Sequence, residues 1–277
     1  MKVCGLALDL DGTLLGADEH VSARNRAAIA RARWAGIRVV VATARWYQLA
    51  EQAARELDPE GHDIDGPVIA CSGAQVRRLR DGKDLLDLRL PAAFVSALFE
   101  ICDTHRCVAW AALDDDVVVK MDGQPPSLPA GLRQAATLVD GVGGQQPRMV
   151  LIQGREVCDR VESELAGQWD AAVRFVESIT SAGKRVLTLT ATGADKGAAL
   201  EIACGDLGIA PSDVVAFGDA ENDLEMFRVA GLSVAMGQAS PAVRAAAAIV
   251  SETNEDDGVA VALERLLDEQ DSGLRRD

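Results

Sequence analysis

The segment from Val3 to Leu8 is a short apolar run that ends in Asp9-Leu10-Asp11-Gly12-Thr13. A run of this length, closed by a turn residue at Gly12, reads as a buried strand. Two carboxylates at a strand's C-terminal end stand where open α/β sheets hold their ligands. Residues i and i+2 of a strand point the same way, so Asp9 and Asp11 are expected to share one site. Acids that close repel unless a cation or a proton lies between them. The pattern implies a hard divalent metal or acid–base chemistry. The alternative is a strand that ends in a solvated acidic turn.

The rest of the chain places that strand in a fold. Ser22 can cap a helix running to Ala35 and stopped by Gly36. Ile37–Ala42 is a second buried strand. Trp46–Leu57 reads as a helix stopped by Asp58-Pro59, and Pro67–Cys71 as a third strand. Alternation of this kind predicts an α/β fold: a Rossmann-like parallel sheet with helices on both faces.

From Leu85 the texture changes. Leu85–Leu90 reads as a strand, Pro91–His105 as a helix, and Val108–Leu113 with Val117–Met121 as a hairpin around Asp114-Asp115-Asp116. That triplet reads as a solvated turn rather than a calcium site, which needs six or more oxygens. Gly123–Pro129 and Gly141–Pro147 read as loops. Strands at Arg148–Gln153, Ala171–Glu177 and Val186–Thr190 surround a helix at Arg155–Gly167, an α+β pattern. Alternation returns with a helix at Asp195–Leu207 and strands at Val214–Phe217, Leu232–Ala235 and Ile249–Val250. Helices are expected at Leu224–Ala230 and Ala242–Ala248, and Gly258–Leu267 closes the fold, with a frayed tail over Asp268–Asp277. The expected domains are a discontinuous core, 1–83 with 191–277, and an inserted α+β cap, 84–190.

Bulk properties narrow the function. Of 277 residues, 48% are hydrophobic, which supports a real core, and only 4% are aromatic, which makes it aliphatic. A net charge of −15 argues against a nucleic-acid partner. It would also repel an anionic substrate, so a phosphate site here needs a metal or local positive charge. No stretch is long enough for a membrane span, and the N-terminus does not read as a secretion signal. A cytoplasmic protein is expected. The six cysteines form no CxxC pair and are expected to be reduced and mostly buried. Cys102 to Cys107 lacks the partner cluster of a zinc site.

Asp9-x-Asp11-Gly12-Thr13 resembles the first motif of the haloacid dehalogenase superfamily of phosphotransferases. Thr43-Ala44-Arg45 ends the second strand and resembles the second motif, with Ala44 where Thr-Gly-Arg is more usual. Lys196, in Gly193-Ala194-Asp195-Lys196-Gly197, resembles the third. A cation near a helix start opposes the helix dipole, so a lysine there is better explained by function than by stability. Gly218-Asp219-Ala220-Glu221-Asn222-Asp223-Leu224-Glu225-Met226 resembles the fourth motif, Gly-Asp-x-x-Asn-Asp-x-x-Met. Val234–Ala239 and Asn254–Val259 resemble segments of the Cof-like, class IIB subfamily with a C2-type cap. Gln238 and Ser72 depart from the asparagines more usual at their places.

The resemblance implies a Mg²⁺-dependent phosphatase of small phosphorylated metabolites. Asp9 would be the nucleophile and form an aspartyl-phosphate, and Asp11 the general acid and base. Asp9, the Asp11 backbone carbonyl and Asp219 would hold the metal, with Asp223 acting through water or pairing with Lys196. Leu10, Thr43, Ala44, Lys196 and Asn222 would contact the phosphate, and Arg45, Ser72 and Gly73 the substrate. The cap would close over the site and select the substrate. Three rivals stand beside this reading: a phosphomutase of the same subfamily, a phosphonate or haloacid hydrolase, which the presence of Asp11 disfavours, and a non-catalytic binding or regulatory protein on the same scaffold. The sequence names neither the substrate nor the oligomeric state.

Overall fold

The computed structural model describes residues 2–57, 66–114, 116–121, 123, 128, 131–179 and 183–274. Its contacts divide the chain into two compact units, Met1–Leu86 with Asp195–Asp277, and Asp87–Ala194. The Asp58-Pro59 helix stop lies outside the described residues.

The first unit is built on an eight-stranded sheet. Its order is Ile249–Val250, Leu232–Ala235, Val214–Gly218, Gly5–Leu8, Arg38–Ala42, Pro67–Ala70, Gln75–Arg78 and Asp84–Asp87. The first six strands pair in parallel, and Gln75–Arg78 turns back antiparallel on Pro67–Ala70. Gly5–Leu8 is central, and the order of the chain reverses on either side of it. That reversal opens a crevice at the strands' C-terminal ends. The register puts Leu8 level with both Phe217 and Val41. The residues that follow are therefore Asp9, Gly218-Asp219 and Ala42-Thr43, at one end of three adjacent strands.

Alternation along the central strand explains why it is apolar throughout. Ala7 belongs to the buried cluster that also holds Leu200, Ala203 and Phe227, while Leu6 and Leu8 alternate to the opposite face, and all three are fully buried. Each buried leucine contributes about 1.5–3 kcal/mol. Ser22 caps Ala23–Trp34, its hydroxyl accepting the Asn25 N–H at 3.0 Å. Asn25 in turn accepts the Ala260 N–H at 2.9 Å, which docks the C-terminal helix. That helix extends over Gly258–Leu274, so the expected fraying from Asp268 is corrected: the last described residues continue the helix.

The expected strand at Leu85–Leu90 is corrected to Asp84–Asp87, and the strand Gln75–Arg78 carries no apolar run to announce it. Partners hold it instead. Gln75 is buried and donates to Asp84 at 2.9 Å, and Arg77 binds the same carboxylate at 2.7 Å.

The second unit is an α+β arrangement. Its sheet runs Val173–Ile179, Arg185–Ala191, Met149–Gln153, Val108–Ala112, Val117–Lys120, Leu132–Gln134. All pairs are antiparallel except the last. The helix Ala92–Thr104 packs its Phe94, Leu98 and Cys102 face into this unit's core. Phe94 meets Trp169 and Phe175 edge-on, with ring centroids 5.6 and 5.9 Å apart.

The hairpin acids are not simply solvated. Asp114 pairs with Arg89 at 2.5 Å and with Arg148 at 2.9 Å, and Asp116 pairs with Arg133 at 2.9 Å. Asp115 lies outside the described residues. Arg148 is buried and also binds Asp87 and the Leu113 carbonyl, both at 2.7 Å. Gly141, expected in a loop, sits inside the short helix Leu138–Val142. All six cysteines are free, and all but Cys4 are buried. Lys120 donates to the Cys102 and His105 carbonyls at 2.6 and 2.9 Å, so an ammonium already serves the Cys102–Cys107 corner.

Candidate active site

The crevice of the parallel sheet collects Asp9, Lys196, Asp219 and Asp223. Asp9 leaves the central strand with its N–H still bonded to the Phe217 carbonyl at 3.1 Å. Its carboxylate accepts from the Lys196 ammonium at 2.7 Å. The same ammonium donates to Asp223 at 2.7 Å. Lys196 and Asp223 are buried, and Asp9 nearly so. Oxygens of Asp9, Asp219 and Asp223 lie within 4.8 Å of one another.

Lys196 opens the helix Lys196–Leu207, where the Asp195 side chain accepts the Ala198 N–H at 2.8 Å as its cap. The backbone N–H of Lys196 donates to Glu225 at 3.1 Å. Two carboxylates and a third at its backbone hold this lysine against the adverse helix dipole. Asp223 works twice: its second oxygen accepts the Asp219 and Ala220 N–H groups, both at 3.0 Å. The turn after Gly218 is thereby locked around the lysine's partner.

Burial pushes the Asp9 carboxyl upward, with Asp223 adding to the rise and Lys196 opposing it. Burial also pushes Asp219 up to about 6, Asp223 adding and a hydrogen bond from Thr13 opposing. For Lys196, burial alone would favour the neutral amine; Asp223 and Asp9 outweigh it and hold the ammonium protonated. One cation therefore faces three acids. The donor set is hard oxygen only, at two adjacent strand ends and in the turn that follows one of them, and it carries excess negative charge. These features fit a small divalent ion such as Mg²⁺.

Asp11 lies past the end of the first strand. The strand ends at Leu8, so the i, i+2 geometry of a strand does not reach it. Gly12 turns the chain with φ +77°, and a Cβ there would come within 2.3 Å of Asp219 Oδ2. Only glycine allows that approach. Asp11 points toward solvent, where Arg45 Nε donates to it at 2.9 Å and Arg45 Nη2 at 2.5 Å. Thr13 Oγ1 donates to Asp219 at 3.3 Å.

Thr43 is fully buried, and its hydroxyl oxygen accepts the Arg45 N–H at 3.1 Å. Its O–H remains available as a donor. Cys71, Ser72 and Gly73 all have positive φ in the turn after the third strand. A Cβ on Gly73 would come within 2.6 Å of the Asp195 backbone, so this glycine seats the lysine helix. Asn222 Oδ1 is a buried acceptor with no hydrogen-bond partner, next to the acids.

The structure thus gathers Asp9, Lys196, Asp219 and Asp223 directly, and joins Asp11 to Arg45. Sequence reasoning did not find the Arg45–Asp11 pair, the Glu225 contact or the Thr13 bond. For Thr13 a signal existed, because the hydroxyl lies two residues past Asp11 in the same turn.

The chain resembles known proteins over most of its length. A family model for haloacid dehalogenase-like hydrolases matches residues 6–263. The chain is 29% identical to the 5-amino-6-(5-phospho-D-ribitylamino)uracil phosphatase YwtE of Bacillus subtilis, over 96% of this chain and 98% of that one. It is also 29% identical to the pyridoxal phosphate phosphatase YbhA of Escherichia coli, over 92% and 95%. A haloacid dehalogenase-like hydrolase from Bacteroides thetaiotaomicron superposes with TM-score 0.82 at 27% identity, covering 96% of this chain and all of that one. Among the described residues, no helix is long and apolar enough to cross a membrane.

Proposed function

The chain belongs to the haloacid dehalogenase-like hydrolases, and from that premise we propose that it is a Mg²⁺-dependent phosphatase of small phosphorylated metabolites working through a phospho-Asp9 intermediate. The observation that carries the reading is the buried Lys196 ammonium, shared by Asp9 and Asp223 with Asp219 alongside. An exposed acidic turn would not assemble such a set.

Asp9, Asp219 and the Asp11 backbone carbonyl would hold the metal, with Asp223 behind them. When bound, the ion neutralises excess acid charge and the charge spread over the transferring phosphoryl oxygens. Lys196 occupies one Asp9 oxygen and leaves the other for attack on phosphorus. The new Asp9 O–P bond forms as the ester P–O bond breaks, and Asp11 protonates the departing oxygen. In the second half Asp11 takes a proton from water, whose oxygen attacks phosphorus. The Asp9–phosphorus bond then breaks and phosphate leaves. Thr43, Lys196, Asn222 and the N–H groups of Leu10 and Ala44 serve as donors to phosphoryl oxygens. Arg45 holds Asp11 at rest, and an anionic substrate competes for that guanidinium and frees the acid.

The 87–194 unit is the candidate for substrate choice. Two relatives bear the names of phosphatases acting on a ribitylaminouracil phosphate and on pyridoxal phosphate. Phosphorylated nitrogen heterocycles are therefore the first substrates to screen, followed by sugar phosphates. The test is phosphate release with Mg²⁺ from wild type and Asp9→Asn. Turnover is expected to fall about a thousandfold or more in the variant, with its circular dichroism unchanged. Retained turnover removes Asp9 as the nucleophile, and an isomerised sugar phosphate without free phosphate indicates a mutase.

A further inference from the structure

The loop that carries Asp11 is tied down by side chains far along the sequence. Gln238 is exposed, yet both ends of its amide are engaged. Nε2 donates to the Gly12 carbonyl, and Oε1 accepts the Asn254 N–H at 3.2 Å. Asn254 Nδ2 donates to the Leu15 carbonyl at 2.9 Å. Glu255 accepts the Ala17 N–H at 2.8 Å. These backbone groups belong to the stretch between the first strand, which ends at Leu8, and the first helix, which starts at Ala23. Inside that stretch the turn is closed by the N–H groups of Thr13, Leu14 and Leu15, all directed at the Leu10 carbonyl. Gln238 meets the Gly12 carbonyl and Asn254 the Leu15 carbonyl.

Ordering an exposed glutamine costs side-chain entropy that solvent-accessible hydrogen bonds barely offset. The bridge therefore contributes little to stability and much to geometry. Gly12 is the position where geometry matters most, because it is wedged against Asp219 and follows Asp11 directly.

We propose that Gln238 and Asn254 are positioning residues for phosphoryl transfer, holding the Gly12–Leu15 turn so that Asp11 and the Thr13 hydroxyl keep their places. The inference rests on the phosphatase reading, because Asp11 has a role only there. Two Gln238 variants separate a positioning role from a structural one. Gln238→Met keeps length and neutrality but loses both bonds; Gln238→Lys keeps a donor for the Gly12 carbonyl.

Gln238→Met is expected to lower kcat about tenfold with KM changed less than about twofold and Tm unmoved, while Gln238→Lys recovers most of kcat. Amide exchange of residues 12–15 is expected to quicken about tenfold in Gln238→Met and not elsewhere. Unchanged kcat, or an equal loss in the Lys variant, overturns the proposal. Unchanged exchange overturns it whatever the turnover. Faster exchange in a protein that hydrolyses no phosphoester places the failure in the phosphatase reading and leaves the tether standing.

Discussion

The two units each bury a cation, and they do so differently. Lys196 in the first unit and Arg148 in the second are both 1% exposed, and each binds two carboxylates. Around Arg148 the charges balance, because Arg89 shares Asp87 and Asp114 with it, giving two cations and two acids. Asp114 is accordingly held below the usual carboxylate range by Arg89, against its partial burial. Around Lys196 one cation faces Asp9, Asp219 and Asp223, and two of those acids are pushed upward. A balanced buried network is a structural joint. An unbalanced one holds acid charge that a proton or a bound cation must neutralise, which is the pattern a working site calls for.

The largest expected effect that tests this contrast is Lys196→Met. Turnover is expected to fall about a hundred- to a thousandfold, since a charged donor to the phosphoryl site is lost. Stability is also expected to drop by about 3 kcal/mol at neutral pH, with part of the loss recovered in acid as the stranded carboxyls protonate. Steady-state kinetics and urea melts at two pH values check both. A loss of stability that does not depend on pH would contradict the charge imbalance.

Arg148→Met is expected to cost about 3–5 kcal/mol, because it leaves Asp87 and Asp114 with less compensation. Turnover per folded molecule is expected to stay within about threefold. A catalytic loss as deep as that of Lys196→Met would erase the distinction between joint and site.

Metal addition gives a smaller, signed effect. The folded value for Asp219 is about 6, above its ordinary 3.8, so between those values the native state binds more protons than the unfolded chain. Metal-free protein should therefore lose stability as pH rises through that window. Mg²⁺ prefers the ionised carboxylates and reverses the trend. Differential scanning fluorimetry should show a larger Mg²⁺-induced rise in Tm at pH 7.5 than at pH 5.5. An equal rise at both would place the ion elsewhere. The smallest effect is for Ser22→Ala, which removes a helix cap at a cost of about 1 kcal/mol and leaves kcat alone.

Much of the fold was legible because it rests on local pattern. Apolar runs at Val3–Leu8, Ile37–Ala42 and Val214–Phe217 became the central parallel strands with end shifts of one or two residues. Gln75–Arg78 was not legible, because its polar side chains are satisfied by pairing rather than by an apolar face. The hairpin acids were half legible: the turn was plain, but the arginines that bind Asp114 come from elsewhere in the chain. In the site, the resemblance to the third motif singled out Lys196 and the dipole argument supported it; the structure supplies the carboxylates that offset its adverse position. Arg45 stands two residues past Thr43 and still could not be assigned to Asp11, since side-chain direction past the end of a strand follows no period.

By itself the sequence determined that this chain builds a parallel α/β sheet, that its strand ends carry acids, and that a lysine stands at a helix start where the helix dipole disfavours it. Those conclusions follow from periodicity, turn chemistry and the helix dipole, which act over a few residues. The tertiary structure alone decided that Asp9 and Asp223 share one ammonium with Asp219 beside them, that Asp11 pairs with Arg45, and that Gln238 reaches Gly12. Each of these depends on which strands lie side by side and in what register. That is set by packing of the whole sheet and is written in no single segment.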